Sequence, residues 1–334
     1  MSDQPSTLVL GWVDYHTRNE GLAKELDGET AYPVWGPRGN AGVAVLRYLV
    51  QGLKTVAVLV RRRPRRLIVM VPPIPALAIC TVYAKLTGAK MIGDVHTYPL
   101  VADVWRPFLP ATAWLLKRVE GAIVTNEANA DILRGFDVPI LVMHDTPVLV
   151  PGREEPVDPD PSSRSQIVVP ASFDPDEPIE ALLAAAATMP EVDFTITGRD
   201  NRGVTEAMTV PDNVTLSGYV SRADYEDLLR SATAVCSLTI LDDCMQQAGY
   251  EAMAFGRPLV TSDSEVLREY FGPAAIYSDP DADSIASALK EAVARAPELQ
   301  TSMVALGQQR VTEREADIVA LQSALGQTPA AVSE

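Results

Sequence analysis

Short apolar runs alternate along the chain with longer stretches whose apolar positions recur every three to four residues, the periods of strands and of amphipathic helices. Up to residue 143 the strand-like runs fall at 7–10, 67–71, 90–94, 121–125 and 140–143. Helical spacing fills the gaps at 21–26, 41–60, 76–87, 107–118 and 128–135, several of these closing on Gly or on a basic last turn. Residues 151–166, PGREEPVDPDPSSRSQ, break the rhythm: they are polar, rich in Pro and Ser, and apolar only at Val157, which predicts a linker. Strand-like runs resume at 167–170, 193–197, 214–217, 234–238, 258–262 and 275–277, with helices at 178–188, 223–230, 245–255 and 264–271 and a long one from 283. Stacked βα units of this kind predict an α/β protein with two doubly wound, Rossmann-like parallel-sheet domains, one over 1–150 and one over 167–300. Ligands of open parallel sheets sit outside the carboxyl ends of the strands, and two facing sheets make the cleft between them the default site. Residues that directly follow strands are therefore the informative ones.

Composition changes this picture little. Of 334 residues, 28 are Lys or Arg and 44 are Asp or Glu, a net charge of −16 that argues against nucleic acid as a partner. The acidity is uneven: residues 1–150 carry 16 basic and 13 acidic side chains, and residues 151–334 carry 12 and 31. Cys80, Cys236 and Cys244 form no C-x-x-C pair and no disulfide framework, which fits a reducing cytoplasm. The N-terminus has no basic segment followed by a long apolar run, so no signal peptide is expected. No Walker A loop, G-x-S-x-G elbow or H-E-x-x-H helix occurs. Asp279, Asp281 and Asp283 look like a turn feeding a helix, and Asp263-Ser264-Glu265 like a helix cap, so no metal and no cofactor are expected.

The strongest local signal is residues 242–260, DDCMQQAGYEAMAFGRPLV, which pass from a loop into a helix and then into a strand. A helix N-terminus near Gln247 to Gly249 offers free N–H groups and the positive dipole end, which suits a phosphate, and Gly249 would admit a ligand closely. Glu251, one turn in, has two oxygens for two ribose hydroxyls. The alternative is that Asp243 and Glu251 merely complement the dipole of a solvated first turn. In the first half, GWVDYHTR after the first strand supplies Asp14, His16 and Arg18, and GDVHTYP after the third supplies Asp94, His96 and Thr97. A histidine at a strand end can act as a base, bond a sugar hydroxyl or phosphate, or simply be satisfied within its loop. Asp14 and Asp94 are the carboxylates placed to deprotonate an acceptor hydroxyl, and Glu127 reads as a helix cap.

Residues 218–269 resemble the nucleotide-sugar domain of GT-B glycosyltransferases, in particular the large retaining family whose E-x7-E motif runs into "EAMA.G.PV". Asp243 and Glu251 stand eight positions apart, with Asp in place of the first Glu. The resemblance puts Asp243 near the donor sugar and Glu251 on the ribose. It extends to DFTITGRD at 193–200 and NVTLSGYV at 213–220, adding Gly198, Arg199 and Tyr219 to the donor side, and to the first loop and the "D.H" segment of the first half. One departure stands out: the loop after the first strand of the second domain, SFDPDEP at 172–178, carries three acids where the family has an Arg and a Lys. Asp176 and Glu177 then read as dipole-favourable carboxylates at a helix N-terminus, and positive charge for a diphosphate falls to Arg199 or Arg202, Arg18 and the helix before Glu251.

What the resemblance implies is a GT-B glycosyltransferase moving a sugar from a UDP- or GDP-sugar to a glycan or polyprenyl-linked acceptor, in cell-envelope polysaccharide or glycoconjugate synthesis. A nucleotide-sugar epimerase of the same architecture and a non-catalytic sugar- or membrane-binding relative are the alternatives. It also implies a final helix, over 301–327, returning to the first domain. The expected location is the cytoplasm, or the periphery of the inner face of the membrane. The latter rests on residues 43–66: Val43, Leu46, Leu49, Val50, Leu53, Val56, Ala57 and Val60 recur at helical spacing, and RRRPRR follows at Arg61 to Arg66. Interruption by Arg47, Gln51 and Lys54 argues against a spanning helix. An interfacial helix on an anionic membrane and a helix packed on the sheet both fit this pattern.

Overall fold

The computed structural model describes residues 7–36, 41–102, 104–145 and 164–327. The chain divides into two compact units, residues 1–148 with 313–334 and residues 149–312. Most of the expected linker, residues 151–163, lies outside the described residues.

In the N-terminal unit the strands are β1 (Thr7–Leu10), β2 (Glu29–Ala31), β3 (Arg66–Val71), β4 (Lys90–Val95), β5 (Ala122–Val124) and β6 (Ile140–Val142). All pair in parallel in the order β2-β1-β3-β4-β5-β6. Around them lie α1 (Thr17–Glu25), α2 (Ala41–Arg62), α3 (Ile74–Thr87), α4 (Tyr98–Val101), α5 (Leu109–Leu116) and α6 (Glu127–Arg134). The central strands read as unbroken apolar runs because both faces are covered. Leu67, Ile68 and Val69 of β3 are each 0% exposed, Leu67 and Val69 facing the α3 side and Ile68 the side that carries α1. Two expectations are corrected. The edge strand β2 has no predicted counterpart, since its sequence Glu-Thr-Ala buries only Ala31 and carries no period. The helix expected from 21 starts at Thr17, with His16 at its N-cap position.

In the C-terminal unit the strands are β7 (Gln166–Pro170), β8 (Asp193–Thr197), β9 (Val214–Gly218), β10 (Ala234–Ser237), β11 (Leu259–Ser262) and β12 (Ala275–Ser278). They form a second parallel sheet in the order β12-β11-β10-β7-β8-β9. The helices are α7 (Ile179–Ala187), α8 (Arg222–Ser231), α9 (Gln247–Ala254), α10 (Glu265–Phe271), α11 (Ala282–Ala294) and α12 (Ala296–Ala324). The long helix expected from 283 is in fact two, because α11 closes at Arg295 and a new helix begins before Pro297, a residue suited to a first turn. Asp281 caps α11, its carboxylate accepting from the N–H groups of Asp283 and Ser284 at 3.1 and 3.0 Å. From Glu313 onward α12 belongs to the N-terminal unit. There Arg314 forms a forked pair with Glu25 at 3.0 and 2.6 Å and donates to the His144 carbonyl, while Leu321 and Leu325 bury against the same apolar cluster as Val9, Leu22 and Ile68.

In each sheet the strand order reverses once, between β1 and β3 and between β7 and β10. The loops at the carboxyl ends of those strands are where an open α/β sheet opens a crevice for a ligand.

Candidate active site

In the C-terminal unit, the acidic loop after β7 proves to be self-satisfied. The Glu177 carboxylate accepts from the backbone N–H of Ser172 at 3.0 Å, that of Phe173 at 2.7 Å and the Ser172 hydroxyl at 2.8 Å. Asp176 accepts from the Thr239 hydroxyl at 2.7 Å, and its carbonyl accepts from the N–H of Ile240 at 2.8 Å. Asp174 pairs with Arg202 at 2.7 Å. These acids therefore fold the loop and tie it to the segment after β10, rather than complementing a helix dipole, since α7 begins only at Ile179. Arg202 is correspondingly withdrawn from the positive charge expected for a diphosphate. Arg199 is exposed, its guanidinium 4.4 Å from the ring centre of Tyr219, which is 67% exposed at the end of β9. The pair offers a cation and a flat aromatic face together.

Two glycines expected to admit a ligand have internal reasons instead. Gly198 has φ +124°, and a Cβ there would stand 1.8 Å from the Ala171 carbonyl oxygen, so only Gly lets the end of β8 pass the loop after β7. At Gly249 a Cβ would stand 2.9 Å from Cζ of Phe271; the missing side chain makes room for α10. The first turn of α9 has no side-chain cap, and Nε2 of Gln247 is buried without a hydrogen-bond partner among the described residues. Asp243, half-buried, lies in the loop leading into that turn.

Glu251 is 3% exposed, and both of its oxygens are engaged. Oε1 accepts from Nη1 of Arg222 at 2.9 Å and Oε2 from the Tyr225 hydroxyl. Arg222 also donates to Glu226, which is 0% exposed. Burial pushes the Tyr225 phenol pKa up, and the Glu251 charge adds to it, so the phenol stays a donor. Through these contacts Glu251 ties α9 to α8, and the more accessible member of the network is Arg222.

In the N-terminal unit, a cavity of about 490 Å³ opens where the strand order reverses. Trp12, Trp35, Tyr48 and Trp105 wall it together with Met70, Pro72 and Pro73, and Asp14 and Arg47 supply charge. Trp12 is fixed by donating from Nε1 to the Thr55 hydroxyl at 2.8 Å. The sequence points to Asp14 here, and to the apolar loop with Pro72 and Pro73 as a guide for a lipid-linked acceptor, but not to the aromatic walls. The signal for those is compositional: the chain has four tryptophans, and three of them line this cavity.

Two residues beyond Asp14 begins a second cluster. The rings of His16 and His96 meet edge to face at 4.9 Å. Nδ1 of His16, Nη2 of Arg18 and both polar side-chain atoms of Asn19 are buried without hydrogen-bond partners among the described residues, while Nε2 of His96 lies 3.5 Å from Oδ2 of Asp94. Orphaned polar atoms in such number normally mark a place for a polar ligand or for water. Arg18 and Asp94 are not at its surface, being 2% and 1% exposed. Nε of Arg18 bonds both Asp94 oxygens at 2.9 and 3.0 Å, and its Nη1 reaches the Met143 carbonyl and Asp145. Burial alone would favour the neutral Asp94, but Arg18 and His96 outweigh it and hold the carboxyl well below its usual range. Asp94 is thus no acceptor for a substrate proton, and Arg18 no ligand for a diphosphate; together they fasten α1 to β4. Thr97 accepts from Nδ2 of Asn129 at 2.8 Å at the start of α4. The α6 cap is Asn126, which accepts from the N–H of Asn129, rather than Glu127, which pairs with Arg134. Among the described residues no group of three His, Cys, Asp or Glu side chains is placed to hold a metal ion.

Burial, then the neighbouring His96 ring, lower the pKa of His16 from 6.5 to about 4, against the pull of Asp94 and Asp145. Above pH 6.5 His16 is neutral whether the chain is folded or unfolded. Between pH 6.5 and about 4 only the unfolded chain takes up the proton, so stability falls through that window, by up to about 3 kcal/mol. Urea denaturation at pH 7 and pH 5 measures the loss, and His16→Gln is expected to reduce it; an unchanged pH dependence in the variant would place the proton elsewhere.

Residues 164–295 match the family model of glycosyl transferases group 1. No curated protein matches the chain in sequence. Among solved structures, sucrose-phosphate synthase from Thermosynechococcus elongatus superposes with a TM-score of 0.74 at 15% identity, over 95% of this chain and 98% of that one. HepE of Anabaena in complex with UDP-glucose gives 0.69 at 13% identity, over 95% and 91%. The lipopolysaccharide outer core galactosyltransferase WaaB gives 0.60 at 12% identity, over 93% and 99%. Residues 164–295 thus resemble the glycosyl transferases group 1 family, and the two parallel-sheet units share the GT-B fold of these solved structures.

Proposed function

We propose that the protein transfers a glycosyl group from a nucleoside diphosphate sugar, held by the C-terminal unit, to a hydroxyl of an acceptor held in the aromatic-walled cavity of the N-terminal unit. The family match over residues 164–295 carries this reading. On the donor side, Tyr219 and Arg199 offer a stacking face and a cation, and the first turn of α9, with Gln247, offers free donors to the diphosphate. Asp243, in the loop that leads into that turn, is assigned to the donor sugar. HepE of Anabaena, of the same fold, binds UDP-glucose, which favours a UDP-sugar as the first donor to try.

On the acceptor side the walls of Trp12, Trp35 and Trp105 suit the CH face of a sugar ring or an isoprenoid chain, and Asp14 faces the hydroxyl. That acceptor oxygen bonds the anomeric carbon, the bond from that carbon to the diphosphate breaks, and the hydroxyl proton passes to Asp14. Nδ1 of His16, buried without a hydrogen-bond partner among the described residues, is the ring nitrogen available to a hydroxyl or phosphate oxygen. A polyprenyl-linked glycan in cell-envelope synthesis fits an apolar cavity with one carboxylate, and WaaB, a lipopolysaccharide transferase, shares the fold.

The test is turnover of UDP-glucose, UDP-galactose and GDP-mannose with membrane extract as the acceptor source. Release of the nucleoside diphosphate with label in a glycan or lipid fraction is the expected result. Free epimerised sugar nucleotide would establish the epimerase instead, and a thermal shift with donor but no turnover would establish a binding protein.

A further inference from the structure

Helix α2 is packed with its most apolar side outward. Val45, Leu46, Leu49, Leu53, Val56 and Val60 are 70, 52, 61, 71, 45 and 60% exposed. At the α-helical turn of about 100° per residue these six fall within a single arc of roughly 100°, and from Val45 to Val60 the stripe runs about 22 Å. The inward face is Gln51, Thr55 and Leu59, with Gly52 against Ile79 and Thr55 holding Trp12. These contacts keep α2 on the N-terminal unit, so the stripe can lie on a membrane but not cross it.

The stripe ends at charge. Arg61, Arg63 and Arg65 are exposed just beyond Val60. A cavity of about 590 Å³ at that end is lined by Val60, Arg63, Arg65, Tyr83 and Thr87, an apolar wall beside two guanidinium groups. No acidic residue occurs between Glu29 and Asp94, a stretch holding ten Lys or Arg in a chain of net charge −16. A second copy of this face related by a two-fold axis would bring the exposed Arg61, Arg63 and Arg65 of each copy to an interface with no acidic residue of this stretch to meet them, which disfavours a symmetric dimer through it. An anionic bilayer meets both features, since acyl chains take the stripe and phosphates take the arginines.

We propose that the outer face of α2 docks on an anionic phospholipid bilayer, with a headgroup phosphate held between Arg63 and Arg65 in the cavity at its C-terminal end. The inference stands apart from glycosyl transfer, and its readout involves no turnover.

The full chain is tested by flotation with vesicles of phosphatidylcholine alone and of phosphatidylcholine with about 30 mol% phosphatidylglycerol. Partition onto the anionic vesicles is expected to be at least tenfold stronger at low salt and to weaken at high salt. Leu49→Ser with Leu53→Ser, and separately Arg63→Gln with Arg65→Gln, are each expected to lower it about tenfold or more. All four residues are exposed, so circular dichroism should match the parent. Failure of the parent to float with anionic vesicles, or equal flotation of the variants, overturns the proposal. So does a dimer on size exclusion that Leu53→Ser converts to a monomer without any vesicle binding, which would give the stripe to a second copy.

Discussion

Replacing Arg18 by Met is expected to cost about 3–5 kcal/mol of stability, the scale on which breaking a buried ion pair from one side is felt. Arg18 is 2% exposed and carries the contact between α1 and the ends of β4 and β6 through Asp94, the Met143 carbonyl and Asp145. Methionine fills much of the volume but leaves Asp94, 1% exposed, without its cation. An uncompensated buried carboxylate either remains charged at high cost or takes up a proton. Its own pKa must therefore rise, and because Arg18 also helps to depress His16, the titration of His16 should move up from about 4. The double variant Arg18→Met/Asp94→Leu removes both charges and is expected to recover more than half of the loss, as apolar replacement of a whole buried pair does. Urea denaturation of the three proteins, with NMR titration of His16, measures all of this. A single variant within about 1 kcal/mol of the parent would mean that the pair positions nothing.

The same residues mark what could be read from the sequence. Charged side chains directly after strands look like ligand groups, and Asp14, Arg18 and Asp94 were all read so. Asp14 lines the aromatic-walled cavity while Arg18 and Asp94 are buried against each other, because whether such a charge faces a ligand or a partner depends on pairing, and Arg18 and Asp94 are 76 positions apart. Local pattern was sufficient for β3, whose apolar run follows from burial on both faces, and insufficient for β2, a three-residue edge. For α2 the period was legible but its direction was not. Trp12 and Ile79 decide that Thr55 and Gly52 face inward, and nothing near residue 50 encodes that choice. Gly249 shows the same limit: a glycine in a first helical turn reads as room for a ligand until Phe271 fills it.

Asp14→Asn is expected to lower kcat/KM for transfer by about 10²–10⁴, the usual worth of a positioned base, while leaving stability within about 0.5 kcal/mol of the parent. Of the carboxylates at the strand ends of the N-terminal unit, Asp94 is spent on Arg18, whereas Asp14 is exposed and lines the cavity that Trp12, Trp35 and Trp105 wall. Asparagine keeps the shape and an acceptor oxygen but cannot take a proton. The loss should therefore fall on kcat with little change in acceptor KM. Asp94→Asn separates position from chemistry: it unpairs Arg18, so stability drops first, and the folded fraction should keep a kcat much closer to that of the parent. Transfer by Asp14→Asn within tenfold of the parent would assign the proton to an oxygen of the departing diphosphate. Asp14 would then be left with the task of orienting the acceptor hydroxyl.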